Sequence, residues 1–409
     1  MSATQRKKIL VMFGGRSPEH DVSIITGLQA LSAFDPTLFE AIPLYVAPDG
    51  AWLTGEALRH RNSYMLDNVT RGALTEVVLD LSCPRQPQLI TRRTSFFGRT
   101  KTIPFDVAFL AFHGAIGEDG AVQGLFETAH VPYTGARVLA SSAFMDKAAT
   151  KRVLAGLDVP VLPFWEIRRP TEGTLITPDE LRKLLPDVSF PCCIKPAHMG
   201  SSIGVSMVKS YEEVSDVLTA SIFRYDDTAL LEPFVDNLVE YNVAVCRRGG
   251  RVITSAIECP KRTNALLDFK TKYVGGNGTK AGTKTDGSKT PGCASEGMLS
   301  LTRTINPELP AETEANIRRW ATMVFDSVAC AGAPRLDFLC NGATGQVWFN
   351  EANTIPGSFG YFLWEASREN PMLFSELLEH LVQEALMHHA AWPIYADPTP
   401  QDARLLPRR

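Results

Sequence analysis

The strongest constraint on this chain is a pair of stretches near its carboxyl end that carry charge inside an apolar frame. They are Ala333-Pro334-Arg335-Leu336-Asp337-Phe338 and Trp348-Phe349-Asn350-Glu351-Ala352-Asn353-Thr354-Ile355-Pro356-Gly357. Both alternate as strands do, with successive side chains leaving on opposite faces. Leu336 and Phe338 therefore point one way, and Arg335 and Asp337 the other. By the same count Phe349, Glu351 and Asn353 share a face. The short turn from Asn341 to Gln346 fits a hairpin. Pairing then gathers Asp337, Glu351 and Asn353 on one face, with Arg335 beside them. Two carboxylates and an amide form an all-oxygen donor set suited to Mg²⁺. An arginine beside that metal suits a phosphate or a developing oxyanion. The alternative is a polar, solvated sheet face, and it fits poorly because Trp348, Phe349 and Phe338 imply burial around the charges.

Such a site needs a large scaffold, and 409 residues suffice for two or three domains with a sizeable core. The balance of 41 basic and 45 acidic residues gives a net charge of −4, which points to neither nucleic acid nor an anionic membrane as partner. No apolar run approaches the ~18 residues of a membrane span. The polar, basic start from Met1 to Lys8 argues against a secretory signal. Eight scattered cysteines without a C-x-x-C pair read as reduced thiols in a cytoplasm rather than as disulfides or zinc ligands.

In chain order, Ile9–Phe13 is an apolar run expected as a buried parallel strand. Gly14-Gly15 ends it, and Ser17-Pro18-Glu19-His20-Asp21-Val22-Ser23 opens a helix with Ile24, Ile25 and Leu28 as its apolar face. This strand–turn–helix can place a ligand at the helix N-terminus, although Pro18 and Glu19 also serve as simple helix starters. A second unit runs from the strand Phe105–Phe112 into His113-Gly114-Ala115-Ile116-Gly117-Glu118-Asp119-Gly120. His113 falls at the carboxyl end of that strand, where open α/β sheets bind ligands, and a structural histidine is the other reading. Lys147 and Lys151 lie four apart on a helix expected from Asp146 to Leu157, as ligand cations or as a solvated face. The strand Phe190–Pro196 carries Lys195 and leads into Gly200-Ser201-Ser202-Ile203-Gly204, a turn able to fold over phosphates. Ala229–Val235 is the next strand-to-loop segment, with Glu240 following.

Taken together, seven motifs in this order resemble the D-alanine–D-alanine ligase family of the ATP-grasp superfamily, over about residues 9 to 390. They are Gly14-Gly15 with Pro18-Glu19-His20 and Ser23; His113-Gly114 with Gly117-Glu118-Asp119-Gly120; Tyr133-Thr134-Gly135; Met145-Asp146-Lys147; Ile194-Lys195-Pro196 with Gly200–Gly204; Arg335–Phe338; and Asn350–Gly357. The resemblance implies an α/β, three-domain ATP-grasp fold. It comprises an N-terminal parallel-sheet domain (1–144) and central (145–240) and C-terminal (241–395) α+β domains clamping ATP, with a tail at 396–409.

It also implies an ATP-dependent ligase forming D-alanyl-D-alanine through an acyl phosphate, for peptidoglycan precursors, acting on amino acids as a cytoplasmic homodimer. Carried over by position, Lys147 and Lys195 would hold ATP phosphates under the loop with Gly200, Ser201 and Ser202. Glu232 and Val235 would contact adenine, and Glu240 the ribose. Asp337, Glu351 and Asn353 would bind two Mg²⁺, with Mn²⁺ as a substitute. Arg335 and the Gly357 N–H would form the oxyanion hole, Glu19 would take the first D-alanine's ammonium, and His113 would lie near the substrates. A lid at about 262–310 would bring Lys272 to the γ-phosphate and Tyr273 to Ser201 and Glu19. The Gly/Lys/Thr-rich run at 274–292 is longer than the family leads one to expect, as a plain insertion or as part of the lid.

Two departures bear on the acceptor. Met199 stands where the family commonly has a glutamate, and Phe362 where a serine usually binds the acceptor's carboxylate. The missing hydroxyl predicts weak binding of D-alanine at the second subsite, unless Ser358 or a backbone N–H substitutes for it. No histidine lies between His198 and His380, which favours an amine over a hydroxy-acid nucleophile. A related ATP-grasp ligase with another acceptor, and a catalytically silent ATP-binding module, are the competing readings.

Overall fold

The computed structural model describes residues 6–64, 71–82, 87–92, 100–173, 175–261 and 303–391. The first sheet contains β1 (Lys7–Gly14), β2 (Phe39–Val46), β3 (Trp52–Thr54), β4 (Thr75–Leu79), β5 (Gln88–Thr91), β6 (Thr102–Pro104) and β7 (Val107–Leu110), in the order β6-β5-β4-β3-β2-β1-β7. β1 runs parallel to both β2 and β7, and β3 to β6 extend the sheet antiparallel. Ile9–Phe13 is fully buried, as an apolar run without alternation requires.

Helix α1 (His20–Ala33) follows β1 through Gly14 and Gly15, both at positive φ (92° and 100°). The helix is pinned by Ser23, whose Oγ accepts from Gly14 N and donates to Ala111 O, both at 2.8 Å. Its buried face differs from the one expected. Ile25 is exposed and Leu28 only half-buried, while Ser23, Thr26, Gly27, Ala30 and Leu31 face inward with Val22 and Ile24. The reason is steric: a Cβ on Gly27 would overlap the Phe13 ring, so the small residues face the sheet and set a close approach.

α2 (Ala121–Thr128), α3 (Val138–Met145) and α4 (Lys147–Leu154) lead to the second sheet. Its strands β8 (Trp165–Arg168), β9 (Cys192–Pro196), β10 (Ser206–Val208) and β11 (Thr228–Pro233) pair antiparallel in the order β10-β9-β11-β8. α5 (Pro178–Leu184) and α6 (Tyr211–Ala220) cover it through Leu181, Val214 and Leu218.

The third sheet contains β12 (Leu238–Arg248), β13 (Arg251–Pro260), β14 (Arg303–Ile305), β15 (Arg335–Asn341) and β16 (Val347–Asn353), in the order β14-β13-β12-β15-β16. α7 (Ala311–Ser327) lies on its far face through Ile317, Ala321, Val324 and Phe325, with Trp320 stacked on Phe338. The chain then returns to the beginning. α8 (Tyr361–Glu365) and α9 (Phe374–Ala391) bury Leu363, Trp364, Leu377, Leu378, Leu381 and Val382 in the same core as β1 and β7. Among the described residues no helix is long and apolar enough to cross a membrane, and the cysteines form no disulfide.

Candidate active site

The β15–β16 hairpin brings the predicted charges together. Arg335 pairs with Asn353, Leu336 with Ala352 and Asp337 with Glu351; then the register shifts and Phe338 pairs with Phe349. The shift corrects one sequence expectation. Phe349 does not share a face with Glu351 and Asn353, because Asn350 is an extra residue that lets the chain bulge. Phe349 turns into the core while Glu351 turns to the site. Simple alternation cannot foresee this. The bulge also aims Asn350 at the site, where its Oδ1 accepts from Lys195 Nζ at 3.0 Å.

Arg335 grips Asp337 with two parallel bonds of 2.7 Å, and Asn353 Nδ2 donates to Asp337 Oδ2 at 3.0 Å. Asp337 is buried, which pushes its carboxyl pKa up; Arg335 opposes, and Glu240 and Glu351 push it further up. Asp337, Glu351 and Asn353 together offer an all-oxygen donor set, which fits a hard divalent cation.

The cations beside the hairpin come from the second sheet and α4. Asp146 caps α4 by accepting from Ala148 N and Ala149 N. The cap fixes the first residue, Lys147, whose Nζ lies 3.4 Å from Glu351 and donates to Met199 O at 2.7 Å. Lys151 is buried too, so neither lysine belongs to a solvated face. Glu232 sits between Lys151 and Lys195, 2.7 Å from each ammonium. Burial lowers the Lys151 pKa despite Glu232. At Lys195 burial acts the same way and is the largest single influence, but Glu232, Cys193 and Glu351 together outweigh it and the pKa is raised. Glu232 thus spends its carboxylate on two lysines, a partnership invisible in the sequence. Lys147, Lys195, Glu232 and Glu351, with Ser202, Val235, Glu240 and Leu339, line one cleft between the second and third sheets.

A second cavity opens next to it, lined by Glu19, His113, Gly200, Arg335, Asn353 and Gly357 among others. Glu19 makes no cap bond to its own helix. Its Oε1 accepts instead from Ser201 Oγ, across 182 residues of chain. Ser201 and Ser202 hold positive φ (55° and 59°), and a Cβ at Gly200 would stand 3.2 Å from Glu19. His113 is buried and its pKa is pushed down to about 4 by burial, against a hydrogen bond to the Ile355 backbone, so it is neutral. Its Nε2 meets Thr26 Oγ1 at 2.8 Å, and Thr26 Oγ1 accepts from Ser358 N at 3.2 Å.

Glu118 belongs to the Gly117-Glu118-Asp119-Gly120 motif. It accepts from Gly114 N, Thr354 Oγ1 and Ile355 N at 2.8–3.0 Å and so clamps the turn before Gly357 to the first sheet. Burial, and then Glu19, pushes its pKa up to about 7. Lys272 and Tyr273 lie outside the described residues.

A lysine-lined cleft between the second and third sheets, beside a cavity closed by the first sheet's loops, has the architecture of the ATP-grasp fold. The family follows from comparison with known proteins. A model described as D-ala D-ala ligase N-terminus matches residues 8–136, and one described as D-ala D-ala ligase C-terminus matches residues 153–290 and 299–383. The chain is 32% identical over 400 residues to the D-alanine–D-alanine ligase of Streptomyces griseus, covering 94% of each chain. It is 32% identical over 406 residues to that of Mycobacterium avium, covering 94% of this chain and 98% of the relative. Among solved structures, the D-alanine-D-alanine ligase from Coxiella burnetii superposes with a TM-score of 0.73 at 24% identity, covering 95% of this chain and 96% of that one. The VanG D-Ala:D-Ser ligase from Enterococcus faecalis gives 0.70 at 24%, covering 93% and 100%. The chain belongs to the D-alanine–D-alanine ligase family.

Proposed function

We propose that this chain is an ATP-dependent ligase that joins two D-alanines for peptidoglycan precursors. The observation that carries the reading is the junction of Lys147, Glu351 and Arg335, the last held by Asp337, with Glu19 at one cavity.

A carboxylate is a poor acylating agent, so ATP first converts that of one D-alanine to an acyl phosphate. Lys147 and Lys195 neutralise the phosphates, with Gly200, Ser201 and Ser202 over them. Val235 and the backbone near Glu232 meet adenine, and Glu240 the ribose. Glu19, braced by Ser201, takes the donor's ammonium. The second D-alanine's amine attacks the activated carbonyl, and Arg335 with the Gly357 N–H stabilises the oxyanion. That amine attacks only when neutral, so a base or the departing phosphate accepts its proton. Neutral His113 sets the turn that presents Gly357. Asp337, Glu351 and Asn353 would hold two Mg²⁺, or Mn²⁺, which when bound neutralise the transferring phosphoryl group. Lys272 and Tyr273 are assigned to the γ-phosphate and to the Glu19–Ser201 pair from the resemblance alone. A cytoplasmic homodimer is the expected form.

A second reading, a ligase of this family with another acceptor, is favoured by the region after Gly357. Phe362 replaces the expected hydroxyl, and Ser358 is engaged elsewhere. Its Oγ donates to Gln29 Oε1 and its N–H to Thr26. A panel of amino acids assayed for ADP release, with products identified by mass spectrometry, separates the two. D-alanyl-D-alanine as main product supports the first; another dipeptide supports the second; nucleotide binding without any product would sink both.

A further inference from the structure

Resting on the ligase reading, we infer that Arg303 is the cation that recognises the acceptor's carboxylate. An acceptor whose amine has lost its proton is an anion, and its carboxylate needs a positive partner. Lys147, Lys195 and Arg335 each face an acidic side chain, as Arg303 faces Glu258, but the ligase reading commits the first three to the phosphates and the oxyanion. Arg303 lies at the other end of the same sheet face. Glu258 pairs with Asn242, Asn242 with Asp337 and Asp337 with Glu351, so one polar row crosses four strands. Along it Asn242 Nδ2 donates to Glu258 Oε1 at 3.0 Å, and Arg303 Nη1 donates to Glu258 Oε2 at 2.8 Å.

The guanidinium lies over Phe362, its carbon 4.5 Å from the ring centroid. Phe362 belongs to α8, which follows directly on the turn that begins at Gly357. Arg303 Nε is buried with no hydrogen-bond partner among the described residues. An oriented guanidinium with donor capacity in hand suits a carboxylate, which it can engage through two parallel bonds. The phenyl ring that displaces the expected hydroxyl thus serves as the platform for a stronger anion ligand.

The test is a competition. D-alanine and D-alaninamide are offered together as acceptors, with ATP, and the two dipeptide products are quantified by mass spectrometry. The amide lacks a carboxylate and serves only as acceptor. Both products share one acyl phosphate, so their ratio reads acceptor recognition alone. Wild type should favour D-alanine by ~10–100-fold, the worth of a charged hydrogen bond. Arg303→Met should bring the ratio near unity while the KM for ATP stays within about twofold, and Arg303→Lys should restore part of the preference. Phe362→Leu keeps the cation but removes its platform, and should also lower the ratio. An unchanged ratio in any folded Arg303→Met or Phe362→Leu protein, or no preference in wild type, overturns the assignment. Absence of any dipeptide from wild type removes the ligase reading itself.

Discussion

Lys151 shows how a single side chain supports the site without facing it. Its ammonium is buried against Glu232 and donates to Leu162 O at 3.1 Å. Replacing it with methionine leaves Glu232 with Lys195 alone. Breaking a buried pair costs ~3–5 kcal/mol, and the remaining lysine should keep the loss near the lower bound. Urea unfolding of Lys151→Met checks this; an unchanged midpoint would mean that Glu232 is satisfied without Lys151. On the ligase reading proposed above Glu351 acts directly, because its carboxylate faces Lys147 and the buried Asp337. Glu351→Gln keeps the shape and removes one charge, so turnover should fall by ~10²-fold or more with the thermal midpoint nearly unchanged. Wild-type turnover would remove Glu351 from the chemistry.

The loop between β9 and β10 is tied to the start of α4 through His198. Its N–H and Nδ1 bond to the two oxygens of Asp226 at 2.8 Å, and its Nε2 lies 3.6 Å from the capping Asp146. These two carboxylates, Asp146 first, raise its pKa to about 10. A raised histidine stabilises the fold fully below its ordinary pKa of 6.5, and that stabilisation is lost as the pH rises through about 10. The gap in thermal midpoint between wild type and His198→Asn should therefore shrink steadily from pH 7 to pH 10. A constant gap would mean that the ring is neutral throughout.

Local pattern made much of this legible: the buried run Ile9–Phe13 and the hairpin with Asp337 opposite Glu351 both follow from period and composition. What was hidden depends on distant chain or on broken periodicity. The bulge at Asn350, the grip of Glu118 on Thr354 and Ile355, and the inward turn of Thr26 rather than Ile25 leave no local signal. Nothing near Glu232 in the chain announces its two lysines.

At the scale of the molecule, the chain closes on itself. α9 follows the third sheet in sequence but packs on the first, and Glu384 accepts from Gly332 N at 2.7 Å across that junction. The substrate cavity needs the same closure, since Glu19 and His113 come from one side and Arg335 and Gly357 from the other. Leu377, Leu378, Leu381 and Val382 on α9 are all buried. At ~1.5–3 kcal/mol for each large aliphatic side chain, these four contribute roughly 6–12 kcal/mol, comparable with the ~5–15 kcal/mol net stability of a whole domain. A chain ending at residue 373 should therefore lose the first sheet's packing as well as α9, and with it the wall that carries Glu19. Near-UV circular dichroism and binding of an ATP analogue report on the two consequences. A truncated protein that kept a cooperative melt and bound nucleotide and D-alanine like the full chain would show that the first sheet stands without its carboxyl-terminal cover.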